Sequence, residues 1–283
     1  MTVRKESSTK LLIVDGDYFT HRAYHSVPKT IRRAGGRSGG AIVGFCNALL
    51  GLYEREQPQA VVVGWDTLES PTYRHELLPS YQSGREFDAD LLEQLHDLPE
   101  FTEAIGFVVG KAAGFEADDF LATAVARQER KGGASVLASA DRDMFQLASP
   151  QTTILQPAKG GEWVRIGPAE VRARYGVEPS QVPDFIALRG DPSDKIPGAK
   201  GVGAATAAGL LRKYGTLEGM LEAGRFSEQS DALRSYKRIA TMDRDAPLPP
   251  IRARKPTWSR AAQLTRDWGL NKLADRIEQM AAN

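Results

Sequence analysis

Nine carboxylates arrive in five short clusters along the chain: Asp15, Asp66, Glu116 with Asp118 and Asp119, Asp141 with Asp143, and Asp191 with Asp194. Like charges a few Å apart raise each other's pKa, so this many acids can share a pocket in ionised form only when cations neutralise them. If the clusters converge, the chemistry on offer is that of divalent metal ions acting on a bound substrate.

Convergence needs elements that end in the same place. The first, second and fourth clusters follow the apolar runs LLIV, VVVGW and SVLASA, and the third lies a few residues past FVV. Residues 11–14, 61–65, 107–109 and 135–138 are strand candidates, while 41–56, 117–130 and 142–147 carry helical spacing or helix-start signals. That alternation predicts βαβ units and an α/β fold with a largely parallel sheet. The run-end acids then fall on the carboxyl edge of the strands, where open α/β folds place their ligands. Two segments interrupt the pattern: the Gly- and Arg-rich 31–41, expected to be a flexible loop, and 67–100, a long connection of modest helical content. Connections of that length inside a compact domain are usually functional covers or disordered. After residue 165 helices dominate, 246–258 is extended by its prolines, and 261–280 is a helix candidate. The chain therefore divides into an α/β portion at 1–165, a helical portion at 166–245 and a terminal segment at 246–283 that packs back on the core.

The clusters differ in how specifically they point to metal. Glu116 and Asp119, three apart, share a helical face, with Asp118 directed elsewhere. Acids in a first helical turn also complement the macrodipole, but three within four positions exceed what capping needs. Asp141 and Asp143 face the same way if the chain is still extended there, and equally suit a turn followed by an N-cap. Asp191 and Asp194 flank a Pro-Ser turn and also read as turn formers. Just beyond them, Lys200, Gly201 and Gly203 lie in GAKGVGAATA, where glycines let backbone amides approach a phosphate at the start of a helix that also carries Lys213. His21 and His25 have zinc-pair spacing, but Arg22 stands where the H-E-x-x-H pattern needs an acid.

Composition narrows the partners. The chain has 283 residues, 41% of them hydrophobic and 26% charged, which suits a globular protein with a substantial core. No apolar stretch approaches the roughly 18 residues of a membrane span, and the polar N-terminus has no signal-peptide core, so a cytoplasmic setting is expected. The single Cys46 excludes an internal disulfide and a cysteine-based zinc site. Residues 195–283 hold 16 Lys/Arg against 9 Asp/Glu, a balance of +7, whereas 1–194 hold 21 against 27, a balance of −6. An acidic portion beside a basic one suits a polyanionic substrate, although such a balance is also that of an ordinary solvated surface.

The ordered set VDGDYFTHRAYH, WD, YRHELLPSYQSGR, GFEADD, ADRDMFQL, GDPSDKIPG and GVG resembles the bacterial 5′ nuclease family, which includes flap endonucleases and the nuclease domain of DNA polymerase I. The resemblance runs from about residue 10 to about 280. It implies a PIN-like mixed sheet between helices, a helical arch formed by 67–100, and a helix–three-turn–helix duplex clamp with its hairpin at 198–203. It also implies Mg²⁺ or Mn²⁺ ions, one around Asp15, Asp66, Glu116 and Asp118 and another around Asp141, Asp143 and Asp191, with Asp119 and Asp194 as outer ligands. K⁺ at the hairpin is implied as well. The implied substrate is DNA with a 5′ flap, nick or 5′ end, bound by a monomer, with Arg22, Arg74 and Arg85 near the scissile strand and Tyr81 among the DNA contacts. Two positions depart from the family pattern: Gln82 stands where a lysine is usual in the arch, and Lys195 where an asparagine usually follows the last acid, close enough in sequence to pair with Asp191 or Asp194. A haloacid-dehalogenase-type phosphatase, a non-catalytic duplex binder and an RNA-cleaving PIN enzyme each share part of this pattern. None of the three explains all of it.

Overall fold

The computed structural model describes residues 10–68, 70–84 and 86–282. The four apolar runs become β1 (Lys10–Asp15), β2 (Ala60–Gly64), β3 (Val108–Gly110) and β4 (Ala134–Ala138). A hairpin absent from the sequence reading adds β5 (Thr152–Pro157) and β6 (Trp163–Ile166). Its outer strand is half exposed and short, and Arg165 interrupts its apolar residues, so no run like those of the inner strands marks it. The sheet order is β3-β2-β1-β4-β5-β6, with β1 to β5 parallel and β6 antiparallel at the edge. Asp15 is in register with Gly64, and Val14 with Ala138, so the central strands end level with one another.

Twelve helices surround the sheet among the described residues: α1 (Gly16–Ser26), α2 (Gly40–Glu56), α3 (Tyr73–Leu77), α4 (Ala89–Ala104), α5 (Ala117–Arg130), α6 (Pro168–Tyr175), α7 (Val182–Arg189), α8 (Ala204–Tyr214), α9 (Leu217–Glu222), α10 (Ser230–Ala240), α11 (Trp258–Asp267) and α12 (Asn271–Ala282). Alternate residues of the inner strands enter two cores, as a parallel sheet covered on both faces requires. Leu11, Ile13, Val62 and Leu137 meet Phe120, Phe145 and Phe185 on one face. On the other, Leu12, Val14, Val61 and Val63 meet Phe45, Leu49, Phe101 and Ile277.

Two expectations change here. The last third of 67–100 opens the 16-residue helix α4, whose Leu91, Leu95, Leu98 and Phe101 are buried in the second core, so only 67–88 is left to cover anything. The 31–41 segment is pinned rather than loose: Arg33 is buried between Glu93 and Asp97 of α4, and Gln94 accepts from the amides of Ala41 and Ile42 at the start of α2. Beyond residue 245, Arg127 donates to the carbonyls of Ala246 and Pro249, and residues of α11 and α12 are buried in the second core. Among the described residues no helix is long and apolar enough to cross a membrane.

Candidate active site

Eight of the nine carboxylates line one cleft of about 810 Å³ at the carboxyl edge of the sheet: Asp15, Asp66, Glu116, Asp118, Asp141, Asp143, Asp191 and Asp194. Asp17 joins them. It was legible as the second acid of VDGD, but residue 17 lies past the strand, and only the turn into α1 swings it inward. Asp15 closes β1 and caps α1, accepting from the Tyr18 amide at 2.9 Å and from Ser139 Oγ at 2.7 Å. Asp17 Oδ2 accepts from the Asp66 amide at 2.7 Å, and Asp66 Oδ1 from the Ala117 amide at 2.8 Å. One acid thus positions the next, from β1 through the end of β2 to the start of α5.

The α5 entrance sorts its three acids differently from the sequence reading. Glu116 is the N-cap and Asp119 the reciprocal member of a capping box. Asp118, not Asp119, shares the cleft with Glu116. Asp119 is fully buried, with Oδ1 accepting from Arg74 Nη2 at 2.7 Å and from the Asp243 amide at 2.9 Å, and Oδ2 from Arg74 Nη1 at 2.9 Å. Its expected role as an outer metal ligand is therefore corrected to that of a structural anchor, since its oxygens are committed away from the cleft. Arg74 is corrected with it. It is 2% exposed and donates through Nε to the Ile239 carbonyl, so it ties α3 to α5 and α10 and cannot steer a DNA strand. Tyr81 is likewise buried, its hydroxyl donating to Glu116 Oε2 at 3.0 Å while Thr72 Oγ1 donates to Oε1 at 2.8 Å. It orients an acid instead of meeting DNA.

At the fourth cluster the chain is not extended. Asp141 Oδ1 accepts from the Asp143 amide at 2.9 Å, the turn-and-cap alternative, and both side chains still reach the cleft. The fifth cluster follows no strand. Asp191 and Ile196 exchange backbone hydrogen bonds of 2.8 Å each, closing the turn that carries Asp194. The turn is held against the end of α7 because Gly198 crosses Gly190 so closely that a Cβ on Gly198 would lie 2.4 Å from the Gly190 nitrogen. Both glycines have positive φ, and neither position tolerates a side chain.

Arg22 is exposed on α1 beside Tyr18 and His21, which do line the cleft. Arg85 lies outside the described residues. Lys200 is exposed in the hairpin and Lys213 in the last turn of α8, and Gly201 and Gly203 have open space around their Cα atoms. Lys195 donates to Ser83 Oγ at 3.0 Å and so reaches the covering segment.

The electrostatics are those of an uncompensated acid cluster. Burial pushes the Asp15 carboxyl up to about 7, against the hydrogen bonds from Ser139 and the Tyr18 amide, with repulsion from Asp141 and Asp66 added. Burial, then Asp66, raises Asp17; burial, then Asp141 and Asp15, raises Asp118; burial, then Asp141, raises Asp143. Among the described residues no three His, Cys, Asp or Glu side chains already stand around one point as a ligand set, so enclosing an ion requires side chains in the cleft to turn. The donor set itself, all carboxylate oxygens, fits hard divalent cations such as Mg²⁺ or Mn²⁺.

The pattern of motifs extends over the whole fold. Residues 10–176 match the family described as 5′-3′ exonuclease, N-terminal resolvase-like domain, and residues 177–256 match 5′-3′ exonuclease, C-terminal SAM fold. The chain belongs to the 5′-3′ exonuclease family. It is 34% identical over 281 residues to a DNA polymerase I of Mycobacterium tuberculosis, covering 95% of this chain and 30% of that protein. The chain thus spans under a third of the length of such curated relatives. Among solved structures, the bacteriophage T5 flap endonuclease in a pseudo-enzyme-product complex with DNA and metal ions superposes with a TM-score of 0.68 at 18% identity, over 97% of this chain and all of the other. Human GEN1 in complex with Holliday junction DNA gives 0.59 at 15% identity, over 95% of this chain and 71% of that one. These likenesses establish the fold: a six-stranded mixed sheet with the PIN-like arrangement of 5′ nucleases.

Proposed function

We propose that this 5′-3′ exonuclease family member is a structure-specific 5′ nuclease that hydrolyses DNA phosphodiesters with Mg²⁺ or Mn²⁺. The observation that carries the reading is the convergence of nine carboxylates from five separate loops on one cleft. Asp15, Asp66, Glu116 and Asp118 would hold one ion and Asp141, Asp143 and Asp191 another, with Asp17 and Asp194 beside them. Bound there, divalent ions supply Lewis acidity toward water and the phosphodiester oxygens.

The chain's own residues do the positioning. Thr72 and Tyr81 fix both oxygens of Glu116, and Ser139 fixes Asp15, so these two carboxylates are held in orientation by the protein itself. The segment 67–88 brings Gln82 and Phe87 over the cleft, where they bound the space open to a DNA strand. Arg22 at the rim and the hairpin at 198–203 supply phosphate contacts, and K⁺ at that hairpin belongs to the same proposal. The substrate is DNA with a 5′ flap, nick or 5′ end, bound by a monomer.

The test is a panel of 5′-labelled flap, nicked and single-stranded DNAs incubated with Mg²⁺, with wild type beside Asp141→Asn. Cleavage by wild type and its loss in the variant support the reading. No cleavage by wild type, or equal cleavage by the variant, rejects it.

A further inference from the structure

A groove of different character lies toward the other end of the strands. Its main basin, about 430 Å³, is lined by Phe107, Val108, Val109, Pro249 and Pro250. A second basin of about 450 Å³ is lined by Tyr53, Trp258 and Met280, from α2, α11 and α12. Between them a narrow crevice shares Phe107, Val108, Arg252 and Arg254 with the first and Tyr53 with the second. The crevice reaches Ala60, where β2 begins, and Gly106, just ahead of β3. The acids stand at the opposite, carboxyl ends of the strands, and the groove shares no lining residue with their cleft.

β3 is an edge strand, paired only with β2, so its outer side presents backbone groups that no strand takes up among the described residues. The extended chain at 246–257 passes along that side without pairing to it. It comes close at both ends of β3: a Cβ on Gly110 would lie 3.1 Å from Leu248 Cδ1, and one on Gly106 3.5 Å from Arg254 Nε. Its backbone hydrogen bonds go elsewhere, from the Arg254 amide to Gln59 and from the Thr257 amide to Ile105. Pro247, Pro249 and Pro250 have no amide hydrogen to give. A slot beside a free strand edge results. The same segment carries Arg252, Arg254 and Lys255, all exposed and none in an ion pair among the described residues. Two acids line the groove: Glu54, paired with Arg276 at 3.3 Å, and Glu103. Cations therefore predominate between two apolar basins, which favours an anionic visitor.

We propose that this groove docks a short extended peptide of another protein, in which acidic residues alternate with apolar ones. The peptide adds to the free edge of β3, its backbone meeting the unpaired groups there. Side chains of an extended strand alternate between its two sides, so one set packs on the apolar lining while the other brings carboxylates to Arg252 and Arg254. Backbone pairing supplies attraction, and the cations select acidic segments over basic ones. DNA suits the groove less well, because its basins are apolar and a strand held at the acids lies at the far ends of β2 and β3. The inference goes beyond the nuclease reading and does not depend on it.

The probe is a fluorescein-labelled peptide alternating aspartate with valine, titrated into the isotope-labelled full chain and followed by anisotropy and by amide shifts. Shifts at the amides of Phe107, Val108 and Val109 are expected, with affinity falling as NaCl rises. Arg252→Ala/Arg254→Ala is expected to weaken binding about fivefold to tenfold. Lys159→Ala/Lys272→Ala, which removes two exposed cations elsewhere, is expected to leave it unchanged. A peptide N-methylated at its valines cannot donate to the strand edge, and one with lysine for aspartate meets like charge; neither is expected to bind. Thermal unfolding of both variants near the wild-type midpoint assigns the loss to the groove. Absence of shifts at Phe107, Val108 and Val109 in excess peptide, or equal loss in the two double variants, overturns the proposal. Displacement of the peptide by single-stranded oligothymidylate overturns it too, making the surface one for nucleic acid. So does dimerisation of the free chain through the same amides, which gives the groove to a second copy.

Discussion

Arg74 and Asp119 form a buried, two-pronged ion pair, with Nη1 to Oδ2 at 2.9 Å and Nη2 to Oδ1 at 2.7 Å. Arg74 comes from the covering segment and Asp119 from the helix that begins the active-site wall, so the pair fastens one to the other. Truncating the arginine leaves a carboxylate stranded in the interior. Arg74→Ala is expected to lose about 3–5 kcal/mol of stability, read by urea unfolding. An arginine serving DNA would behave oppositely, with stability kept and DNA affinity lost.

How much of this was legible in the sequence follows from how each acid is placed. Asp15, Asp66 and Asp141 sit at or just past the ends of parallel strands, and strand ends are visible as the ends of apolar runs. Asp119 could not be separated from Asp118 that way, because helical spacing says which residues share a face but not which face meets the interior. The partner that decides it, Arg74, is 45 residues away in sequence. The β5–β6 hairpin was hidden for a related reason: its apolar residues come in short, interrupted stretches, Ile154 and Leu155 between Thr153 and Gln156, and Arg165 between Val164 and Ile166. Arg74 and Tyr81 looked like surface contacts because a polar segment between strands reads as solvated, whereas here it folds inward onto the acids.

The cleft predicts a coupling between divalent ions, pH and stability. Asp15 has a folded pKa of about 7, above its ordinary value, and Asp17, Asp118 and Asp143 are raised too. A carboxyl whose pKa is raised on folding binds its proton more tightly in the native state, so stability falls as pH rises from the ordinary carboxylate range toward 7. Metal-free protein in EDTA is therefore expected to melt at a lower temperature at pH 8 than at pH 5.5. Mg²⁺ or Mn²⁺ neutralises the same charges, and its stabilising shift is expected to be larger at pH 8. Equal metal-induced shifts at the two pH values would show that the acids do not carry the ions.

Glu56 gives the opposite pH signature, away from the cleft. Its side chain is buried at the end of α2, where Lys10 Nζ lies 2.7 Å and Arg165 Nη2 2.6 Å from its oxygens, joining the N-terminal strand to the edge strand. Burial pushes the carboxyl up, but the hydrogen bonds from Lys10 and Arg165 outweigh it and hold the pKa below its ordinary value. A depressed carboxylate contributes stability that is present above its unfolded pKa and lost as pH falls through the folded one. Glu56→Gln is expected to cost about 1.5–3 kcal/mol near pH 7 and to flatten the loss of stability below pH 4. Chemical denaturation of both proteins across that range measures it.

The two positions that depart from the family pattern lie against each other's segments. Gln82 Nε2 donates to Asp194 Oδ1 at 3.2 Å, and Lys195 Nζ returns a hydrogen bond to Ser83 at 3.0 Å. Both residues hold left-handed backbone, with φ of 48° and 57°, a conformation that costs an L-residue roughly 1–2 kcal/mol. Side chain and backbone thus form a clasp across the cleft, holding 80–84 against the turn at 191–195 and occupying Asp194. Lys195→Asn suits the left-handed backbone better and removes the bond to Ser83. Faster amide exchange at 80–84 is expected in this variant, with global stability equal or slightly higher. Gln82→Ala is expected to speed the same amides by removing the bond to Asp194, without that gain. The two bonds hold the same pair of segments together, so the double variant should exchange little faster than the faster single one. Additive acceleration would mean that Gln82 and Lys195 act separately and that no clasp exists.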